Sequence, residues 1–147
     1  PNIKLHLLGG LQTNKVKFAI QIFDFIHSVD SKKLAKKIAD EQQKINKNIK
    51  IFLQVNIGSE IQKSGIDKNE VNSLVSYCKE LNLNLVGLMC IPPSHLEPDI
   101  FFEEMKILNQ SLGLSELSMG MSSDFLIAAK NLSTYIRVGS SIFGQRY

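Results

Sequence analysis

The chain has 147 residues, 44% hydrophobic and 21% charged, which is the make-up of a soluble domain with one core and excludes a disordered or fibrous chain. Its 17 basic and 14 acidic residues give a formal charge of +3, but no aromatic residues interleave the lysines between Lys32 and Lys50, so nucleic acid is not an expected partner. No apolar run approaches the roughly 20 residues of a membrane span, so no membrane partner is expected either. Cys78 and Cys90 sit in apolar surroundings without metal-ligand spacing, as in a reduced, cytoplasmic protein.

Short apolar runs alternate with amphipathic stretches along the chain. The first run, Leu5 to Leu8, precedes a glycine pair and then a helical pattern in Val16, Ala19, Ile20 and Phe23. Phe25 to Val29 reads as a second strand, followed by a helix through Leu34, Ala35, Ile38, Ala39 and Ile45 whose lysines form a solvated face. Ile51 to Val55 is the clearest strand, almost continuously apolar as when helices cover one face and packed side chains fill the other. Asp67 and Glu70 form a D-x-x-E start signal in which each side chain can accept from a free backbone N–H, and Val71, Leu74, Val75, Cys78 and Leu81 mark one buried helix face. A strand at Leu85 to Met89 leads to a helix starting near Pro98, whose fixed φ and missing N–H suit a first turn. Leu117 to Met119, a helix from Asp124 to Lys130, and a strand at Tyr135 to Val138 complete the pattern.

Six strands and five helices in strict alternation predict repeated β-α units on a parallel sheet. No linker or charge block divides them, so residues 1–147 are expected to form a single domain. A complete eight-stranded barrel typically needs about 250 residues, so the pattern fits either an open doubly wound sheet or an incomplete barrel. The first residue, Pro1, suggests that the sequence starts part-way along a longer one.

In either architecture ligands gather where strands end. Those positions here are Gly9 and Gly10, Asn56, Met89, Ser122 and Gly139. Two segments suit phosphate. In Ser118 to Asp124 a glycine turn leads into serines at a helix start, where unpaired N–H groups favour an anion, although Ser122 and Ser123 could equally be simple N-caps. In Arg137 to Gly144, Gly139 lets backbone approach a ligand and is followed by Ser140 and Ser141, or else makes only a tight turn. Arg137, inside an apolar strand, must pair with something or reach solvent. His27 has no nucleophile or second metal ligand at a useful spacing and is expected to be hydrogen-bonded and structural, while His95 lies in an exposed loop.

The stretch HLLGGLQTNK from His6 to Lys15, HSVD at His27 to Asp30, QVN and KSGI at Gln54 to Asn56 and Lys63 to Ile66, GLM with IP at Gly87 to Pro92, SMGMSSD at Ser118 to Asp124 and RVGSSIFGQR at Arg137 to Arg146 follow one another in the order of the pyridoxal phosphate homeostasis (YggS/PROSC-like) family, which the chain resembles throughout. Leu8 stands where that family's first motif usually has isoleucine. The resemblance implies an α/β fold of the alanine racemase N-terminal-domain type, a (β/α)8 barrel with about six of eight strands present here. It also implies that pyridoxal 5'-phosphate binds at the C-terminal ends of the strands. Carried over by motif, Ser122, Gly139 and Ser140 would hold the phosphate, Arg137 would face the pyridine nitrogen, and His6, Asn14 and Met89 would line the pocket. A guanidinium only donates, so the ring nitrogen facing it would stay unprotonated, making the ring a weaker electron sink.

The family's Schiff-base lysine lies on a strand before the first of these motifs, so it is expected upstream of Pro1; Lys15 and Lys63 read as rim or surface groups. The resemblance implies a non-enzymatic carrier or regulator of the cofactor, with pyridoxal-phosphate-dependent enzymes as clients. The alternative is a racemase-like enzyme, against which stands the end of the sequence at Tyr147, before any second domain that would bring a catalytic tyrosine. A phosphate-binding barrel acting on sugar or indole phosphates would need strand-end carboxylates and lysines that are missing here. If the chain begins at Pro1, its open sheet edges are expected to promote self-association.

Overall fold

In the computed structural model, which describes residues 2–146, the six expected strands form one parallel sheet. They are β1 (His6–Leu7), β2 (Phe25–Val29), β3 (Lys50–Gln54), β4 (Asn84–Met89), β5 (Glu116–Met121) and β6 (Tyr135–Arg137), hydrogen-bonded in the order β1-β2-β3-β4-β5-β6. Pro1 and Tyr147, on which the expectations about neighbouring segments rest, lie outside the described residues. The connecting helices are α1 (Val16–Ile22), α2 (Lys32–Lys44), α3 (Val71–Glu80), α4 (Pro98–Ser111) and α5 (Phe125–Lys130), and a single turn, α6 (Ser140–Phe143), follows β6. That last turn is absent from the sequence reading because its four residues are too few to establish a period.

The strand order decides between the two architectures. A doubly wound sheet reverses direction at a switch point; this one never does. Right-handed crossovers between successive neighbours place every helix on the same face, leaving the other face to the interior of an incomplete barrel. Side-chain contacts record the resulting curl. β2 and β5 have two strands between them, which in a flat sheet would separate them by about 14 Å, yet His27 Nδ1 and Ser118 Oγ are 2.8 Å apart. The rings of His6 on β1 and Tyr135 on β6 likewise lie 5.6 Å apart across the interior.

The alternation of each strand feeds two cores. Outward-facing Ile26, Ile51, Leu53, Leu88, Leu117 and Met119 pack with Ile20, Ile38, Leu74, Cys78, Phe102 and Met105 from the helices. Inward-facing Phe25, Phe52 and Met89, with Val86 and Tyr135, form a smaller core inside the curl. β2 is buried along its whole length and β3 along all but its first residue, which is why Ile51 to Val55 reads as a nearly continuous apolar run.

Local signals fix the helix ends. Ser31 Oγ accepts from Leu34 N–H at the start of α2, and Pro98 occupies the first turn of α4. Asp67 Oδ1 accepts from Asn69 N–H at 2.8 Å, but Glu70 makes no return bond, because a 3-10 turn over Lys68–Glu70 intervenes before α3. The lysine-rich α2 pairs its charges one turn apart, Lys36–Asp40 on the solvated face and Lys37 with the buried Glu41. Lys47, in the loop after α2, turns toward α1: its Nζ donates to the carbonyls of Ile20 at 2.7 Å and Phe23 at 2.9 Å, satisfying the C-terminus of α1.

β4 and β5 approach closely at Gly87, where a Cβ would stand 1.8 Å from the Glu116 carbonyl oxygen. Asn109 on α4 staples this junction. Its Oδ1 accepts from Leu88 N–H at 3.0 Å, and its Nδ2 donates to the carbonyls of Glu116 at 2.9 Å and Leu114 at 3.2 Å. Replacing Asn109 by alanine strands buried backbone groups and is expected to lower stability by about 2–4 kcal/mol. Urea denaturation of Asn109→Ala checks this, and a change below about 0.5 kcal/mol would contradict the staple.

Candidate functional site

The C-terminal ends of β1, β4, β5 and β6 surround an open cavity of about 1090 Å³. Leu8 and Gly9 approach from β1, Met89 and Ile91 from β4, Met121, Ser122 and Ser123 from β5, and Arg137, Val138, Gly139 and Ser140 from β6 and α6. Five of the seven expected site residues, Met89, Ser122, Arg137, Gly139 and Ser140, therefore line this one cavity. His6 and Asn14 are placed elsewhere. His6 stacks on Phe25 with ring centroids 4.1 Å apart in the interior, and Asn14 is exposed in the 3-10 turn Thr13–Lys15.

Arg137 is held at the cavity floor by neutral acceptors. Its Nη1 donates to Ser118 Oγ at 2.7 Å and its Nη2 to the Cys90 carbonyl at 2.8 Å. Among the described residues no carboxylate makes an ion pair with it; Asp124 acts only at longer range. Burial pulls the guanidinium below its usual pKa, but an arginine stays charged in a protein. The cavity thus holds a fixed positive charge whose remaining N–H groups can meet an acceptor.

Behind Arg137 the hydrogen bonds continue. Ser118, fully buried in β5, is 2.8 Å from His27 Nδ1, and His27 Nε2 is 2.9 Å from His6 Nδ1. His27 also stacks on Phe52 at 4.3 Å, so the expected structural role of this histidine has a definite content. Burial, together with the nearby His6 and Arg137, pushes its pKa down to about 3, and burial lowers that of His6.

A second polar feature lines the same cavity. Gly120, with φ of 101°, takes the left-handed backbone that turns the chain at the end of β5, and a Cβ there would also meet Ala128 of α5 at 2.6 Å. Ser122 follows this turn. It does not cap α5; its Oγ accepts from the N–H groups of Gly139 and Ser141, both at 3.3 Å. The start of α5 is fastened instead by Asp124 Oδ1, which accepts from Met121 N–H at 2.7 Å. Ser122 and the first turn of α6 thereby bring a hydroxyl and backbone donors to one place, suited to an anion.

Of the remaining candidates, Lys63 pairs with Glu60 at 3.1 Å beside a smaller cavity of about 500 Å³, Lys15 is exposed, and His95 is exposed in its loop as expected. The sequence reading missed Ser118 and the Cys90 carbonyl as partners of Arg137. A serine inside an apolar strand was the available signal for Ser118; a backbone carbonyl leaves none.

A neutral buried His27 ties stability to pH. Its folded pKa lies below the unfolded value of about 6.5, so the unfolded state binds more protons between pH 6.5 and 3. Stability from this group is complete above pH 6.5 and falls by up to about 1.4 kcal/mol per pH unit as pH drops toward 3. His27→Phe is therefore expected to show a shallower loss of stability between pH 6 and pH 4 than wild type in urea melts; equal slopes would contradict the burial of a neutral imidazole.

Comparison with known proteins places this geometry in context. The alanine racemase N-terminal domain family matches residues 1–147. A pyridoxal phosphate homeostasis protein of Aquifex aeolicus is 36% identical over 155 residues, covering 99% of this chain and 68% of the relative. The chain thus spans about two thirds of the length of the curated relatives it matches. PipY of Synechococcus elongatus, solved without PLP, superposes with a TM-score of 0.92 at 35% identity, covering 98% of this chain and 72% of PipY. The same protein with PLP bound gives a TM-score of 0.83 at 34% identity over the same shares. With the strand order, the curl of the sheet and these likenesses in agreement, the chain belongs to the pyridoxal phosphate homeostasis protein family, built on the alanine racemase N-terminal domain fold.

Proposed function

We propose that this chain binds pyridoxal 5'-phosphate in the cavity at the strand ends and serves cofactor homeostasis as a carrier or regulator rather than as an enzyme. The observation that carries the reading is Arg137, a charged group fixed at the cavity floor by neutral acceptors, with N–H donors to spare. A serine hydroxyl and the N–H groups at the start of α6 line the same cavity. A ligand with an acceptor at one end and an anion at the other fits that pair of features. Pyridoxal phosphate has a ring nitrogen and a phosphate in that relation, and PipY, at 34% identity, is described with PLP bound.

In this reading Ser122, Gly139 and Ser140 hold the phosphate through hydroxyl and backbone N–H groups, and Arg137 donates to the ring nitrogen. Met89, with Leu8 across the cavity, supplies the apolar wall. His6 supports Arg137 from below through His27 and Ser118. The bound cofactor supplies an aldehyde that captures amines and a ring that withdraws electrons. A guanidinium keeps the ring nitrogen unprotonated and weakens that withdrawal.

The competing reading is a racemase-like enzyme. The curated relatives are named pyridoxal phosphate homeostasis proteins, which favours storage and delivery of the cofactor, with pyridoxal-phosphate-dependent enzymes as recipients. Buried, unpaired Cys78 and Cys90 suit a reducing cytoplasm.

Absorbance titration with pyridoxal 5'-phosphate tests the reading. Saturable binding is expected, weakened about tenfold or more by Arg137→Leu, which removes a charge-assisted bond. Alanine racemisation should stay at the buffer rate. Binding unaffected by Arg137→Leu would contradict the site, and turnover abolished by that variant would favour the enzyme.

A further inference from the structure

We propose that Ser118, His27 and His6 form a one-way hydrogen-bond relay that positions Arg137, with the Ser118 hydroxyl donating to His27 Nδ1 and both imidazoles held as Nε2–H tautomers.

The direction follows from the donor at its head. A guanidinium can only donate, so Ser118 Oγ, 2.7 Å from Arg137 Nη1, is an acceptor there. Its own proton must then go elsewhere. Ser118 is fully buried, and the other side-chain contact of its hydroxyl is His27 Nδ1 at 2.8 Å. Were His27 Nδ1 protonated, two donors would converge on Oγ and the serine O–H would be left buried without an acceptor, a loss that disfavours this arrangement by roughly five- to a hundredfold. With Nδ1 accepting, a neutral His27 carries its proton on Nε2, which faces His6 Nδ1 at 2.9 Å. His6 Nδ1 therefore accepts in turn, and its proton sits on Nε2. Burial keeps His27 neutral, as required.

The stacking contacts lock the ring planes. His27 lies against Phe52 at 4.3 Å and His6 against Phe25 at 4.1 Å, with interplanar angles of 16° and 10°. Neither ring can rotate out of line without leaving its aromatic neighbour. Each link comes from a different strand: β6, β5, β2 and β1. The relay thus orients Arg137 without adding a negative charge beside it. Ser118, His27 and His6 are positioning residues, and their effect on ligand affinity rests on the cofactor reading above, whereas the tautomers do not.

Long-range nitrogen-15 NMR of the histidine rings at pH 7 reads the relay directly in the chain without added cofactor. Nε2–H tautomers are expected for both His27 and His6, with separately resolved Nη signals from a slowly rotating Arg137. Ser118→Ala should release His27 into mixed tautomers and merge the Nη signals, and Ser118→Thr, which keeps the hydroxyl, should restore both. An Nδ1–H tautomer of His27 in the wild type, or tautomers and Nη signals unchanged by Ser118→Ala, would overturn the proposal. In the pyridoxal 5'-phosphate titration, Ser118→Ala should bind about fivefold more weakly, and wild-type affinity in that variant would overturn the positioning role. If the wild-type chain takes up no cofactor, the cofactor reading falls, and the tautomers alone uphold or overturn the relay.

Discussion

Arg137 enters the interior of the sheet from β6 and finds there, in place of a carboxylate, the Ser118 hydroxyl and the Cys90 carbonyl. The hydrogen bonds behind Arg137 follow from that choice of partners. A carboxylate at the same place would neutralise the guanidinium and leave the cavity without a net attraction for a ligand acceptor. Neutral acceptors fix its orientation and leave its charge in force. The interior accommodates the charge because Arg137 keeps access to the cavity, while the two histidines behind it remain uncharged.

The fold supplies those partners from distant parts of the chain. Parallel strands in sequential order bring all six C-terminal ends to one rim, so a carbonyl after β4, a serine on β5 and an arginine on β6 become neighbours. Curl then adds a second set of contacts across the interior, between β2 and β5 and between β1 and β6, that strand order alone would forbid. Asn109 and the close approach at Gly87 matter to the site for this reason: they set the spacing of β4 against β5, and with it the distance between the Cys90 carbonyl and Ser118.

Much of this architecture was legible in the sequence because it is written in local periods. Ile51 to Val55 reads as a buried strand and Val71 to Leu81 as an amphipathic helix from their own residues, and both stand within a residue of the observed elements. The choice between open sheet and barrel was not legible in those periods, since it depends on which strands neighbour one another; the collinear family motifs pointed to the incomplete barrel, and the strand order bears that out. The same distinction holds at the site. Arg137 announced itself as an arginine in an apolar strand, and the glycines and serines at strand ends marked the cavity wall. Ser118 and His27, 91 residues apart, carry no spacing that could have joined them. The capping box at Asp67 and Glu70 illustrates the opposite limit, a local signal only half realised because a 3-10 turn took up the helix start.

An uncompensated Arg137 that meets the ring nitrogen of the cofactor leaves a signature on that nitrogen. In nitrogen-15 NMR of pyridoxal 5'-phosphate labelled there and bound to the chain, an unprotonated nitrogen that accepts a hydrogen bond is expected across the neutral pH range. A protonated pyridinium in the bound state would contradict it.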